Sequence, residues 1–174
     1  GVFTKDHLVE LNRHNINRIY IRGNEVGTFE AYLQSYLDRI INDPTIPDKV
    51  KASTFYVSSM HALRKAFDDP NSERIEDIKK TLKPMFKSIM ENKILLDDLF
   101  SITEHDFNTY THSVNVGIFA TALAVNFFKS DESVSMAMIE RLSYGYFLHD
   151  IGKSRVPGKI LRKQGPLAPE EWAV

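Results

Sequence analysis

Apolar residues return every three or four positions along most of this chain, a spacing that is typical of amphipathic helices. In one such segment Phe29, Leu33 and Leu37 fall on a single face. Proline-containing turns at residues 43–47 and 68–71 separate neighbouring segments. The approximate bounds of the predicted helices are 4–14, 28–41, 49–67, 72–91, 108–129 and 132–149, with a further short apolar face at 95–100.

One segment departs from the helical period. Residues 16–22 alternate apolar with polar side chains, which predicts a β-strand. With the helix before it, this strand forms one short αβ unit, whose partner strands are expected to lie before residue 1. The pattern as a whole predicts a mostly α fold, a helical bundle preceded by a helical regulatory region that begins with this αβ unit.

The predicted helix at 108–129 is apolar on nearly every side, and Gly117 within it is small enough for close packing. We therefore expect this helix at the centre of the bundle. The helix at 132–149 is expected to end with Gly152 as its C-cap glycine, and Pro157 prevents its continuation.

Composition narrows the function classes. The chain has 174 residues, is 43% hydrophobic and carries a formal net charge of −1, which argues against a general nucleic-acid or membrane-surface binder. It has no cysteine, so any metal must be held by histidines and carboxylates. The sequence contains no run of 18 consecutive apolar residues, which is the length that would predict a membrane-spanning helix. A cytoplasmic location fits these features.

The candidate chemistry lies at the end of the helix at 132–149. His149 and Asp150 are adjacent there, and Lys153 follows them. His112 lies near the start of the central helix, and neighbouring helices in a bundle lie about 8–10 Å apart, within reach of a shared ion. Imidazole and carboxylate ligands suit iron, manganese, nickel or zinc, and a lysine adds positive charge for a phosphate. Taken singly, such residues are more often ordinary packing or solvated surface residues than parts of a metal site.

Four segments together resemble the HD-GYP domain family. They are TYTHSVNV at 109–116, LHDIGK at 148–153, VPGKILRKQGPL at 156–167 and the Glu170-Glu171 pair. Their order, spacing and content follow the family's pattern from about residue 106 to residue 172, which is far more specific than an isolated His-Asp pair.

The resemblance implies an all-helical bundle that hydrolyses cyclic di-GMP to pGpG or GMP, in bacterial second-messenger signalling, with two divalent metal ions, commonly iron or manganese. By position, His112, His149 and Asp150 would be metal ligands, and Asp150 would bridge the two ions. Asp150 and Lys153 would be catalytic, with Lys153 binding the substrate phosphate. Signalling proteins and a second copy of the chain are the candidate protein partners, and no nucleic acid is expected.

The resemblance also implies a division of the chain. Residues 1–100 would be a partial regulatory or sensory region, and residues 101–174 the first half of the catalytic domain, since the family's later ligands and its GYP loop would follow Val174. Position 108 is Asn, where members with a third metal carry Glu, so a two-metal centre is expected. Glu104 is too distant to replace it.

Two alternatives remain open. The chain could belong to a degenerate regulatory module that acts through protein contacts, or to another HD-superfamily phosphohydrolase acting on nucleotides such as dNTPs or guanosine tetraphosphate. The second is disfavoured by the segment from Lys153 to Leu167, which resembles HD-GYP proteins alone.

Overall fold

A computed structural model of the protein describes residues 4–91, 94–102, 109–128 and 130–173; at residues 91, 94–96 and 102 it describes the backbone alone. The described residues contain α-helices and short 3₁₀ turns and no β-strand. The α-helices are α1 (Lys5–Arg13), α2 (Val26–Asn42), α3 (Asp48–Asp68), α4 (Ser72–Glu91), α5 (Ile94–Ile102), α6 (Thr109–Phe128), α7 (Met136–Leu148) and α8 (Gly158–Leu161). The 3₁₀ turns are Gly23–Glu25, Ile151–Arg155 and Pro169–Ala173. The predicted mostly α architecture is confirmed.

The helix α3 is the centre of the fold, because it packs against α2, α4, α5 and α6. Its buried face carries Phe55 and Leu63, which are almost fully excluded from solvent. Those two side chains belong to one apolar cluster that also includes Leu37 from α2, Leu99 from α5 and Ile118 from α6. This cluster contains residues from before and after residue 100, where the sequence analysis placed a boundary between two domains. That division into domains stays a prediction.

The helices α6 and α7 form the closest pair in the fold, and a glycine makes their approach possible. A Cβ atom at Gly117 would lie 2.6 Å from Cδ1 of Phe147 and closer still to two other carbons of that ring. Phe147 is fully buried. The absence of a side chain at Gly117 therefore lets the Phe147 ring lie directly on the backbone of α6, as the sequence suggested.

A polar contact joins α2 to α3. His61 is 5% exposed, and its Nδ1 lies 2.7 Å from the Glu30 carboxylate, which also accepts a hydrogen bond from Arg64 at 2.9 Å. Burial lowers the pKa of His61, and Lys65 and Arg64 lower it further against the opposing effect of Glu30. His61 is thus held neutral, with Nδ1–H donating to Glu30.

Three expectations from the sequence are wrong in detail. Residues 16–22 form no strand, and Ile19 and Tyr20 are 66% and 82% exposed. Alternation alone cannot make a strand, because a strand needs a neighbour that satisfies its backbone groups, and the described residues provide none. The helix α6 is not buried on every side either, since Leu123 and Phe127 are 71% and 80% exposed.

The third correction concerns Gly152. Among the described glycines, only Gly165 has a positive φ, of 121°, so Gly152 is not a left-handed C-cap. The chain instead continues from α7 into the 3₁₀ turn Ile151–Arg155. The 3₁₀ turn ends at Val156, and Pro157 has no N–H with which to continue its hydrogen bonds.

The helix α6 also has the length and apolar composition of a membrane span. Eight of its residues are buried inside the protein, among them Val114 and Ile118. Buried core helices share both traits, and the packing of α6 against α3 and α7 accounts for the apolar residues on its buried side.

Candidate metal centre

The start of α6 and the end of α7 lie side by side, and each contributes a histidine. His112 is in the first turn of α6, between the buried residues Thr111 and Ser113. His149 follows directly after Leu148, the last residue of α7, and keeps helical backbone angles of φ −54° and ψ −30°. The two imidazole rings meet edge to face, with their centroids 5.3 Å apart.

Asp150 lies between the two histidines. Its Oδ2 is 3.5 Å from Nε2 of His149 and 3.9 Å from Nε2 of His112. The Asp150 side chain is only 12% exposed, whereas His112 is 53% exposed. One donor atom from each of the three residues lies within 4.8 Å of the other two. The structure thus brings together the three residues that the sequence proposed as metal ligands.

The tautomer of His149 follows from its second contact. Its Nδ1 lies 2.8 Å from the carbonyl oxygen of Tyr146, and because a carbonyl can only accept, Nδ1 must carry the proton. Nε2 is left as the nitrogen that faces Asp150. A backbone carbonyl commonly orients metal-binding histidines in this way.

Lys153 also contacts Asp150. Its Nζ donates to Oδ2 at 2.5 Å, and the 3₁₀ turn holds it there through the bond from Lys153 N to Asp150 O at 2.9 Å. The lysine side chain is 48% exposed. Lys153 therefore lies beside the cluster with about half of its side chain open to solvent.

The 3₁₀ turn that carries Lys153 is anchored to the core. Leu148 and Ile151, which flank the His-Asp pair, pack against the main apolar cluster, and the turn contacts α3. A second link reaches α6, where the Tyr56 hydroxyl on α3 donates to Asn115 Oδ1 at 2.9 Å, one turn after His112. Sequence reasoning missed Tyr56, since only the folded chain brings it beside Asn115.

The donor set fits a divalent transition metal. Two imidazoles and a carboxylate are ligands that iron, manganese and zinc all accept, and one donor atom of each residue lies within 4.8 Å of the other two. Glu104 and Asn108, which the sequence analysis weighed, lie outside the described residues, and so does a second His-Asp pair, His105-Asp106.

Comparisons with known proteins agree with this site. The HD domain family profile matches residues 109–173, which include all three donors. A curated protein described as a cyclic di-GMP phosphodiesterase, from Thermotoga maritima, is 28% identical over 142 residues, covering 76% of this chain and 37% of the relative. A solved HDG"Y"P protein from Bdellovibrio bacteriovorus has the same fold, with a TM-score of 0.64 and 24% identity, covering 88% of this chain and 50% of that one.

Residues 109–173 match the HD domain family, and the matches together support the resemblance to HD-GYP proteins that the motifs carry. The HD domain family that these residues match is one of metal-dependent phosphohydrolases. The chain spans about half the length of the solved relative and 37% of the curated one.

Proposed function

We propose that this chain is part of a metal-dependent phosphodiesterase that hydrolyses cyclic di-GMP to pGpG or GMP. One observation carries the proposal: His112, His149 and Asp150 bring three donor atoms within 4.8 Å of one another, directly beside Lys153. The same residues fall on the HD-GYP motifs, and the relative from Thermotoga maritima is described by this activity.

In this proposal His112, His149 and Asp150 would hold two divalent ions, iron or manganese. When bound, such ions activate a water for attack on phosphorus and neutralise charge on the phosphate oxygens. The protein's own contribution is orientation. The Tyr146 carbonyl fixes the His149 ring, and the core anchors the turn on both sides of Asp150.

Lys153 would bind the substrate phosphate. Its side chain is about half exposed and its ammonium group contacts Asp150, so it can exchange that contact for one with a phosphate oxygen. A lysine acts there as a compact positive charge that stabilises the developing negative charge on phosphate. The nearly buried Asp150 would remain as the carboxylate ligand. A cytoplasmic location, where cyclic di-GMP is made, belongs to the same proposal.

The test uses the complete natural protein that contains this chain. Metal content is measured by mass spectrometry, and hydrolysis is measured with cyclic di-GMP, dNTPs and guanosine tetraphosphate in parallel. We expect bound iron or manganese and turnover of cyclic di-GMP, with both lost in His149→Ala and Asp150→Ala. The matched control is His14→Ala, which removes an exposed histidine on the α1 side of the chain and should change neither.

Two results would refute the proposal. Unchanged metal content and hydrolysis in both site variants would show that the cluster does not act. Turnover of dNTPs or guanosine tetraphosphate alone would assign the protein to another branch of the HD superfamily.

A further inference from the structure

A second concave site lies at the junction of α2, α4 and α7, separate from the metal cluster. Its cavity measures about 650 Å³, a size that suits a small organic ligand. The residues lining it are Asp38, Lys80, Lys83, Pro84, Phe86, Lys87, Met90, Met136 and Glu140. Glu140 precedes His149 by nine residues, which places the two about 13 Å apart along α7.

The floor of this cavity is apolar and adaptable. Phe86 is 7% exposed and belongs to a small apolar cluster with Ile139, against which Met136 packs. Met90 extends the floor and is 37% exposed. Methionine side chains are flexible and polarisable, so they adjust to ligands of irregular shape.

One edge of the cavity is a row of lysines on α4. On the helix, Lys79 and Lys80 lie one turn before Lys83, and Lys87 lies one turn after it. Like charges at this spacing repel one another. Lys79 is neutralised by Glu76 at 2.6 Å, whereas Lys83 has no ion pair with any side chain that the structure describes.

The two carboxylates of the cavity do not neutralise this edge. Glu140 accepts a hydrogen bond from the Tyr144 hydroxyl, and Asp38 accepts one from Asn42 at 3.1 Å. Neither lies within 4 Å of a lysine nitrogen among the described side chains. Lys80 pairs with Asp77 at 4.0 Å, so among the described side chains the uncompensated charge of this edge is that of Lys83 and Lys87, next to the apolar floor.

We propose that this cavity binds a small amphipathic anion. Its apolar body would lie on Phe86, Met90 and Met136, and its phosphate or carboxylate group would bind Lys83 and Lys87. An anion there relieves the repulsion along α4, which a neutral ligand cannot do. This site is independent of the proposed phosphodiesterase activity and can be tested in its absence.

The methionines provide the measurement. The chain has five, and Met90 and Met136 line the cavity, whereas Met138 is exposed on α7 outside it. In a sample labelled with ¹³C at the methionine methyls, octyl phosphate and octanoate are titrated below their micellar concentrations. We expect saturable shifts of the Met90 and Met136 signals with one or both anions, and none at Met138. Octyl glucoside, which has the same tail and a neutral head, should bind at least tenfold more weakly.

The charge requirement is tested by substitution. Replacing both cavity lysines, Lys83→Gln with Lys87→Gln, should weaken anion binding about tenfold or more, since a charge-assisted hydrogen bond contributes at least that factor. The matched control is Lys79→Gln on the same helix, which should leave binding unchanged. Unaltered signals of the buried Met85 would show that each variant is folded.

Three outcomes would overturn the proposal. Equal binding of octyl glucoside would show that charge plays no part. Equal shifts at Met138 would show general adsorption to apolar surface. Undiminished anion binding by the double variant would place the anion elsewhere.

Discussion

The contact between Gly117 and Phe147 should affect both the free energy of unfolding and the affinity of the metal centre for its ion. The substitution Gly117→Ala tests this expectation. The added Cβ would lie 2.6 Å from Phe147 Cδ1, whereas carbon atoms pack at about 3.5–4.0 Å. The ring or its helix must therefore move by about 1 Å. Because Phe147 is fully buried, the ring has no free space, and we expect α7 to shift away from α6.

The energetic cost can be bounded. Overpacking of this kind costs about 1–3 kcal/mol, and the higher helix propensity of alanine offsets about 1 kcal/mol. The net loss of up to about 2 kcal/mol lowers the Tm of a chain this long by up to about 8 °C. His149 follows Phe147 by two residues, so the same shift separates it from His112. We expect the affinity for Mn²⁺ to fall about tenfold, comparable to the loss of a group that orients a metal ligand.

Two measurements are made on each protein: thermal unfolding gives its Tm, and calorimetric titration gives its affinity for Mn²⁺. The matched control is Gly145→Ala, which lies in α7 at a position where an added Cβ meets no atom within 4 Å. This control should raise stability by about 0.5–1 kcal/mol and leave Mn²⁺ affinity unchanged. If Gly117→Ala behaves like Gly145→Ala in both measurements, the close packing of α6 and α7 does not position the donors.

Three further predictions concern single side chains. Lys153→Gln should strengthen Mn²⁺ binding severalfold by removing a competing cation from Asp150 while lowering phosphodiester hydrolysis; parallel losses of both would contradict this. The pKa of His61 is lowered in the folded state, so as the pH drops below about 6.5 the unfolded chain binds a proton that the folded chain does not, and the free energy of unfolding should fall. In urea unfolding between pH 7.5 and 5, the free energy of unfolding of His61→Asn should fall less steeply with pH; the same slope in both proteins would refute this. Leu123→Lys should change the free energy of unfolding of the 174-residue chain by less than about 0.5 kcal/mol, since this leucine is 71% exposed; a larger loss in urea denaturation would mean that a partner surface covers it.

Helix positions could be predicted from the sequence because the local signals were strong. The apolar period of α2 and the prolines after it fix where that helix ends, and the observed bounds differ from the predicted ones by a few residues at most. Ser135 caps α7 through the bond from Met138 N to Ser135 Oγ at 3.2 Å, so α7 begins later than the sequence indicated. These are effects within one segment, which a sequence displays directly.

Features that depend on neighbours could not be predicted in the same way. Alternation at residues 16–22 resembles a strand, yet nothing in the segment reveals whether a partner strand exists. The apolar character of α6 indicates burial, yet Leu123 shows that burial depends on what covers each face. The contact of His61 with Glu30 joins α3 to α2, and no pattern in the sequence indicated that these two side chains would meet.

The candidate site was predicted in part. The motifs identified His112, His149 and Asp150 as a set, but the spacing alone left their separation open. What brings them together is the packing of Phe147 on Gly117 and of Ile151 on the core. The tautomer of His149 and the contact from Lys153 to Asp150 emerged only from the folded chain.

The central claim is that His112, His149 and Asp150 bind a shared cation, and anomalous scattering tests it most directly. Crystals soaked in Mn²⁺ would be measured on both sides of the manganese absorption edge. We predict an anomalous peak about 2.2 Å from Nε2 of both histidines and from an Asp150 carboxylate oxygen, which disappears in the variant that combines His149→Ala with Asp150→Ala. A peak elsewhere alone, or one that persists in the variant, would contradict the account.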